Sequence, residues 1–144
     1  VSRIIGYASG VFDLFHVGHL NMLRRARTHC DHLVAGVLLD EVAAHKGGAP
    51  VVPFDERLEI VRSVRYVDEV VADTSLDKLD AWRKVGFHRL FKGDDWHGTE
   101  RGAQWERDFE AVGVEVVYLP YTAHVSSSTL RRELDLLVDQ GGRG

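Results

Sequence analysis

Gly10-Val11-Phe12-Asp13-Leu14-Phe15-His16-Val17-Gly18-His19 is the stretch that decides the fold. An apolar run, Arg3 to Ala8, comes before it. After it, Leu20, Leu23 and Ala26 recur at helical spacing, with Arg24, Arg25 and Arg27 on the polar side. The pattern reads as strand, tight loop, helix. His16 and His19 stand three apart, so at a helix start both rings fall on one side. Gly18 between them lets backbone approach a ligand closely. Free N–H groups and the positive end of the helix dipole attract anions there, and imidazoles donate to phosphate oxygens without carrying a full charge. Two other readings compete: a metal pair, and two plain surface histidines. A metal pair usually has i, i+4 spacing with an acidic third ligand.

Working outward, Leu33 to Leu39 is a continuous apolar run of the kind found in a central parallel strand covered on both faces. Val67 to Ala72, Arg89 to Lys92 and Val114 to Leu119 read as further strands. Pro53, with Asp55 and Glu56 behind it, starts a helix striped by Leu58, Val61 and Val64. Ser75 is the expected cap of a helix presenting Leu76, Leu79 and Trp82, and Gly86 ends it. Gln104 to Ala111 is helical, and a last helix carries Leu130, Leu134 and Leu137. His45 to Val52 and Gly93 to Gly102 read as loops. This alternation predicts one α/β domain over residues 1–144. It is a doubly wound, Rossmann-like, five-stranded parallel sheet with helices on both faces. Ligands of such sheets bind beyond the carboxyl ends of the strands, near the switch point, which is where Gly10 to His19 falls.

Composition narrows the function. The 144 residues carry 18 basic and 22 acidic side chains, a net charge of −4, with no long basic run. Nucleic acid is therefore not an expected partner. No stretch approaches the roughly 18 apolar residues of a membrane span. The single cysteine, Cys30, excludes an internal disulfide framework, and a reducing cytoplasm is the expected compartment.

Other segments offer anion-binding or polar chemistry. Lys46 opens the Gly-rich stretch Lys46-Gly47-Gly48-Ala49-Pro50 and reads as a mobile lysine able to swing onto a triphosphate, or as plain surface. Arg57 and Arg65 would clamp phosphate, or pair with Asp55, Glu59 or Asp68. In Lys92-Gly93-Asp94-Asp95-Trp96, the carboxylates suit a base, a sugar or magnesium, and Trp96 suits an apolar or aromatic group. The competing reading is a Gly-Asp turn with a half-buried tryptophan. Val125-Ser126-Ser127-Ser128-Thr129 offers hydroxyls and free N–H groups at the last helix, joined by Arg131 or Arg132, as a second anion site or a simple N-cap.

Four segments in order resemble the cytidylyltransferase family, most closely its glycerol-3-phosphate cytidylyltransferases. They are Gly10-Val11-Phe12-Asp13 with His16-Val17-Gly18-His19, Arg65-Tyr66-Val67-Asp68-Glu69-Val70, Gly93-Asp94-Asp95-Trp96, and Ser126-Ser127-Ser128-Thr129. The resemblance implies attack of a substrate phosphate on the α-phosphate of CTP, with pyrophosphate leaving, in a homodimer. It implies that His16, His19, Lys46 and Arg65 act in catalysis. It also implies that Asp94, Ser127, Ser128 and Thr129 bind nucleotide; beside them, Gly10, Val11, Phe12 and Gly18 are expected at the nucleotide, and Asp13, Arg57, Trp96 and Tyr121 at the small phosphorylated acceptor. Mg²⁺ would ride on the nucleotide phosphates with no direct protein ligand. Where the family has Arg-Thr-Glu-Gly-Ile-Ser-Thr, this chain has Tyr121-Thr122-Ala123-His124-Val125-Ser126-Ser127. Tyr121 replaces a permanently charged arginine, which bears on acceptor identity and on CTP against ATP. Lys46-Gly47-Gly48 also resembles the loop of the adenylyltransferase domain that makes ADP-heptose. The alternatives are thus an adenylyltransferase acting on a sugar phosphate or cofactor precursor, and a nucleotide-binding module without turnover.

Overall fold

A computed structural model describes residues 3–120 and 132–138. Its elements run β1 (Ile5–Gly10), α1 (Val17–Arg27), β2 (His32–Leu38), α2 (Asp40–Gly47), α3 (Phe54–Arg62), β3 (Glu69–Asp73), α4 (Lys78–Val85), β4 (Arg89–Gly93), α5 (Glu100–Glu110) and β5 (Glu115–Leu119). A 3-10 turn, Asp94–Trp96, joins β4 to α5. Residues 132–138 are helical and exposed.

The five strands are all parallel in the order β3-β2-β1-β4-β5. The order reverses between β1 and β4, so the loop leaving β1 lies at the switch point, where such sheets take their ligands. Register sharpens this. β1 pairs with β2 at six positions, but with β4 only at Gly6↔Arg89 and Tyr7↔Leu90. Beyond Leu90 the two central strands no longer pair, so the switch point lies between their free carboxyl ends.

Strand alternation sorts the core into two layers. Leu33, Ala35 and Val37 of β2 join Leu23 and Ala26 of α1 and Val61 of α3 on one face. Tyr7, Val34 and Leu90 join Ala81 of α4 and Phe109 of α5 on the other. Tyr7 crosses Gly36 so closely that a Cβ there would strike its phenol oxygen. The phenol donates to Asp73 Oδ2 at 2.8 Å, and Lys78 Nζ donates to the same oxygen at 2.9 Å. This buried trio welds the end of β3 to β1 and α4.

Several sequence expectations need correction. The span from His45 to Val52 is not all loop: α2 runs to Gly47 and carries Lys46. Asp40 and Glu41 in its first turn, and His45 and Lys46 in its last, suit the helix dipole, which favours the helix despite its weak apolar stripe. Asp77 caps α4 through its carboxylate, while the Ser75 hydroxyl instead accepts from the Asp77 N–H. The expected loop from Gly93 to Gly102 is largely ordered, with Thr99 capping α5 from Glu100 onward. Gly86 does end α4, in the left-handed conformation (φ 71°) that glycine adopts without strain.

Arg57 also departs from its expected role. Its side chain is fully buried, donating to Val52 O at 2.8 Å, Val11 O at 2.7 Å and Asp40 Oδ1 at 2.6 Å. It is a strut that ties the β1–α1 loop to α2 and α3. Arg57→Met would strand two backbone carbonyls and an acidic partner. We expect it to lower unfolding free energy by about 3 kcal/mol, read from urea titration. A loss under about 1 kcal/mol would contradict the strut.

Candidate active site at the switch point

The β1–α1 loop reaches the site under strain. Phe12 (φ 55°) and Leu14 (φ 48°) both hold left-handed backbone without being glycine, at a cost of about 1–2 kcal/mol each. Buried Asp13 between them offsets this, its carboxylate accepting from the Val51 and Val52 N–H groups at 2.8 and 2.9 Å. Asp13 and Val11 therefore serve the loop's architecture, Val11 through its carbonyl, which accepts from Arg57. Phe12 is core, packed edge-on against the His19 ring at 5.5 Å.

α1 then opens on an unusual capping box. The Gly18 N–H donates to His16 Nδ1 at 3.0 Å, and the His16 N–H donates to His19 Nδ1 at 3.3 Å. Histidines thus take the places that serine and glutamate usually hold. The rings stack with centroids 4.0 Å apart. Because both Nδ1 atoms accept, each ring is neutral with its proton on Nε2. Electrostatics agree: burial lowers the His16 pKa, and burial, then His16, brings His19 down to about 4 against a smaller opposing pull from Asp13. His16 Nε2 is itself buried and has no partner among the described residues. The first turn of α1 holds no acidic residue. The site can therefore present neutral N–H donors to an anion at the positive end of a helix.

Across the same carboxyl edge lies a basic group that the sequence reading largely missed. Lys46 near the end of α2, Lys78 opening α4, Lys92 near the end of β4 and Arg101 in α5 lie within one another's fields. Burial, then Lys78, Lys46 and Arg101, pulls the half-buried Lys92 ammonium down to about 7, with Asp73 opposing. Lys46 is exposed by surface area, yet loss of water around its ammonium, then Lys78 and Arg101, also lowers it, again against Asp73. Lys92 Nζ stands 4.3 Å from the Trp105 ring centroid, and Trp96 meets Trp105 edge-on at 5.4 Å. The available signal was a lysine inside a buried strand one step before its glycine, because a charge there is costly without a partner.

The other expected site residues divide. Gly10 ends β1, and Gly18 spends its N–H on the His16 cap. Asp94 and Trp96 are exposed in the turn after β4, at the carboxyl edge. Arg65 is not there. It precedes Asp68, whose N–H bonds Leu33 O at the start of β2, so within one chain it sits at the amino edge, opposite His16. Tyr121, His124, Ser127, Ser128, Thr129 and Arg131 lie outside the described residues.

A parallel sheet whose switch-point loop ends in paired imidazoles defines a nucleotide-type phosphate site. Residues 7–133 match the family Cytidylyltransferase-like. The chain is 33% identical to a glycerol-3-phosphate cytidylyltransferase of Staphylococcus aureus (strain NCTC 8325 / PS 47), over 93% of this chain and 96% of that one. It is 35% identical to an FAD synthase of Pyrococcus abyssi (strain GE5 / Orsay), over 83% and 82% of the two chains. Among solved structures, it superposes on a lipopolysaccharide core biosynthesis protein from Thermoplasma volcanium GSS1 with a TM-score of 0.73 and 25% identity, covering 83% of this chain and 98% of that one. The chain belongs to the cytidylyltransferase-like family and is a nucleotidyltransferase.

The cap makes a structural prediction independent of activity. His16→Asn keeps an acceptor in place of Nδ1 and should melt close to wild type, whereas His16→Leu should lose about 1 kcal/mol. Equal melting of both variants would show that the side chain does not cap α1.

Proposed function

We propose that the chain transfers CMP from CTP to a small phosphorylated alcohol, with glycerol 3-phosphate the first candidate. A phosphate oxygen of the acceptor bonds to the α-phosphorus, the bond from that phosphorus to the oxygen bridging the β-phosphate breaks, and pyrophosphate leaves. The observation that carries this reading is the buried, unpartnered Nε2 of His16 beside the stacked His19. The Staphylococcus aureus relative, matched along nearly its whole length, supports the acceptor.

The protein's work is positioning and charge stabilisation. His16 and His19 donate through Nε2 to the oxygens of the α-phosphate as charge builds there. Since neither must lose or gain a proton, they act as fixed dipoles rather than as acid or base. Lys46 contacts the phosphates from α2, and the hydroxyls of Ser127, Ser128 and Thr129 hold the β- and γ-phosphates. Asp94 and Trp96 lie at the nucleotide and acceptor end. Among the described residues no group of three or more His, Cys, Asp or Glu side chains is placed to hold a metal ion. Mg²⁺ belongs to this reading as the counterion that CTP brings with it. A homodimer is part of the same reading, tested by mass in solution.

A second reading, AMP transfer from ATP, draws on the FAD synthase relative and on Tyr121 in place of the family's arginine. Pyrophosphate release with each of the four nucleoside triphosphates and glycerol 3-phosphate separates the two. We expect CTP to be preferred, and a preference for ATP would overturn the cytidylyl assignment. His16→Asn and His19→Asn, which keep the cap acceptor but remove the distal N–H, should each lower kcat by about 10²–10³. Wild-type turnover in both would refute the donor roles.

A further inference from the structure

Four cations reach the carboxyl edge of the sheet from four elements: Lys46 from α2, Lys78 from α4, Lys92 from β4 and Arg101 from α5. Asp73 is the carboxylate that acts on Lys46 and Lys92, and its Oδ2 already accepts from Lys78 Nζ and the Tyr7 phenol. Among the described residues, no ion pair balances Lys46, Lys92 or Arg101. Like charges gathered at one edge repel one another, most strongly at Lys92, where burial removes water. An anion placed between them reverses the sign of that interaction.

Position adds to charge. β4 alternates, with Leu90 in the α4–α5 layer and Phe91 in the other, so Lys92 returns to the α4–α5 side. There it lies over Trp105, as does Arg101, whose Cζ is 5.6 Å from the same ring centroid. Lys92 is also two residues past Leu90, where β1–β4 pairing stops. The histidine pair enters from α1, on the other side of the sheet.

We infer that Lys92 and Arg101, with Lys46 and Lys78 adding charge, seat the phosphate of the acceptor, and that Lys92 selects acceptors whose remaining part carries no positive charge. This rests on the CMP-transfer reading above. A polyol phosphate meets three unbalanced cations with its dianion and offers hydroxyls elsewhere. An ethanolamine or choline phosphate brings its own cation into the same field. The Trp105 face, which would welcome that cation, already carries Lys92 and Arg101.

The test is a steady-state comparison of glycerol 3-phosphate with ethanolamine phosphate, with CTP saturating, in wild type, Lys92→Met and Lys92→Arg. Wild type should favour glycerol 3-phosphate in kcat/KM. Lys92→Met should raise the KM for glycerol 3-phosphate about tenfold or more while leaving the KM for CTP within about twofold, and Lys92→Arg should restore most of the loss. The Lys92 ammonium, held at about 7 by burial and by Lys78, Lys46 and Arg101 against Asp73, loses its charge as pH rises. Wild-type KM for glycerol 3-phosphate should therefore climb between about pH 7 and 9, where a phosphate monoester with its second pKa near 6 stays a dianion. Lys92→Arg should flatten that climb. An unchanged acceptor KM in Lys92→Met, or a wild-type preference for ethanolamine phosphate, would overturn the inference while leaving CMP transfer standing. Calorimetry without nucleotide makes the opposite separation. Binding of glycerol 3-phosphate that Lys92→Met abolishes, in an enzyme that forms no CDP product, would uphold the seat and overturn the reaction.

Discussion

Two backbone-to-imidazole hydrogen bonds at the start of α1 set the chemistry of this protein. A helix start leaves N–H groups without partners, and a serine or aspartate would satisfy them equally well. Here His16 and His19 do so through Nδ1. The same contact that caps the helix thereby fixes the tautomer, the ring stacking and the outward donor. Stability and function are coupled at these atoms, because each proton must sit on Nε2 for the cap to form.

The surrounding scaffold keeps that pair in place. Phe12 and Leu14 hold left-handed backbone, and the loop keeps its shape because Asp13 grips two N–H groups beyond α2 while Arg57 grips Val11. Strain of this kind persists where the surroundings over-determine it. The sheet contributes by ending the β1–β4 pairing early, at the switch point. The buried Tyr7–Asp73–Lys78 trio anchors the opposite wall, where the remaining cations gather. One wall thus offers neutral donors and the other net positive charge. That division suits a reaction joining two polyanions, since the α-phosphate gains charge in transit while the acceptor arrives already charged.

Sequence periodicity carried the five strands, their parallel arrangement and the location of His16 and His19, because buried strands and an amphipathic helix leave strong local patterns. What it missed was set by tertiary context. Asp13 and Arg57 are polar residues beside a site motif, and nothing local separates a ligand-binding side chain from one that braces a loop. Burial made the distinction. The short α2 has little apolar periodicity, and its Gly-rich end signals a loop, so nothing local marks Lys46 as helical. Arg65 lies in a segment matching a family motif, yet strand direction carries it to the far edge of the sheet. Lys92, Lys78 and Arg101 are distant in sequence and become a group only once β4, α4 and α5 pack.

The central claim is that His16 and His19 are neutral Nε2–H donors fixed by their own helix cap. Long-range ¹H–¹⁵N correlation of the imidazole nitrogens in the folded protein measures this directly. Near pH 6.5 both rings should show an unprotonated Nδ1 and a protonated Nε2, and His19 should stay neutral down to about pH 4. A proton on Nδ1 of either ring, or an imidazolium forming near pH 6.5, would contradict the account.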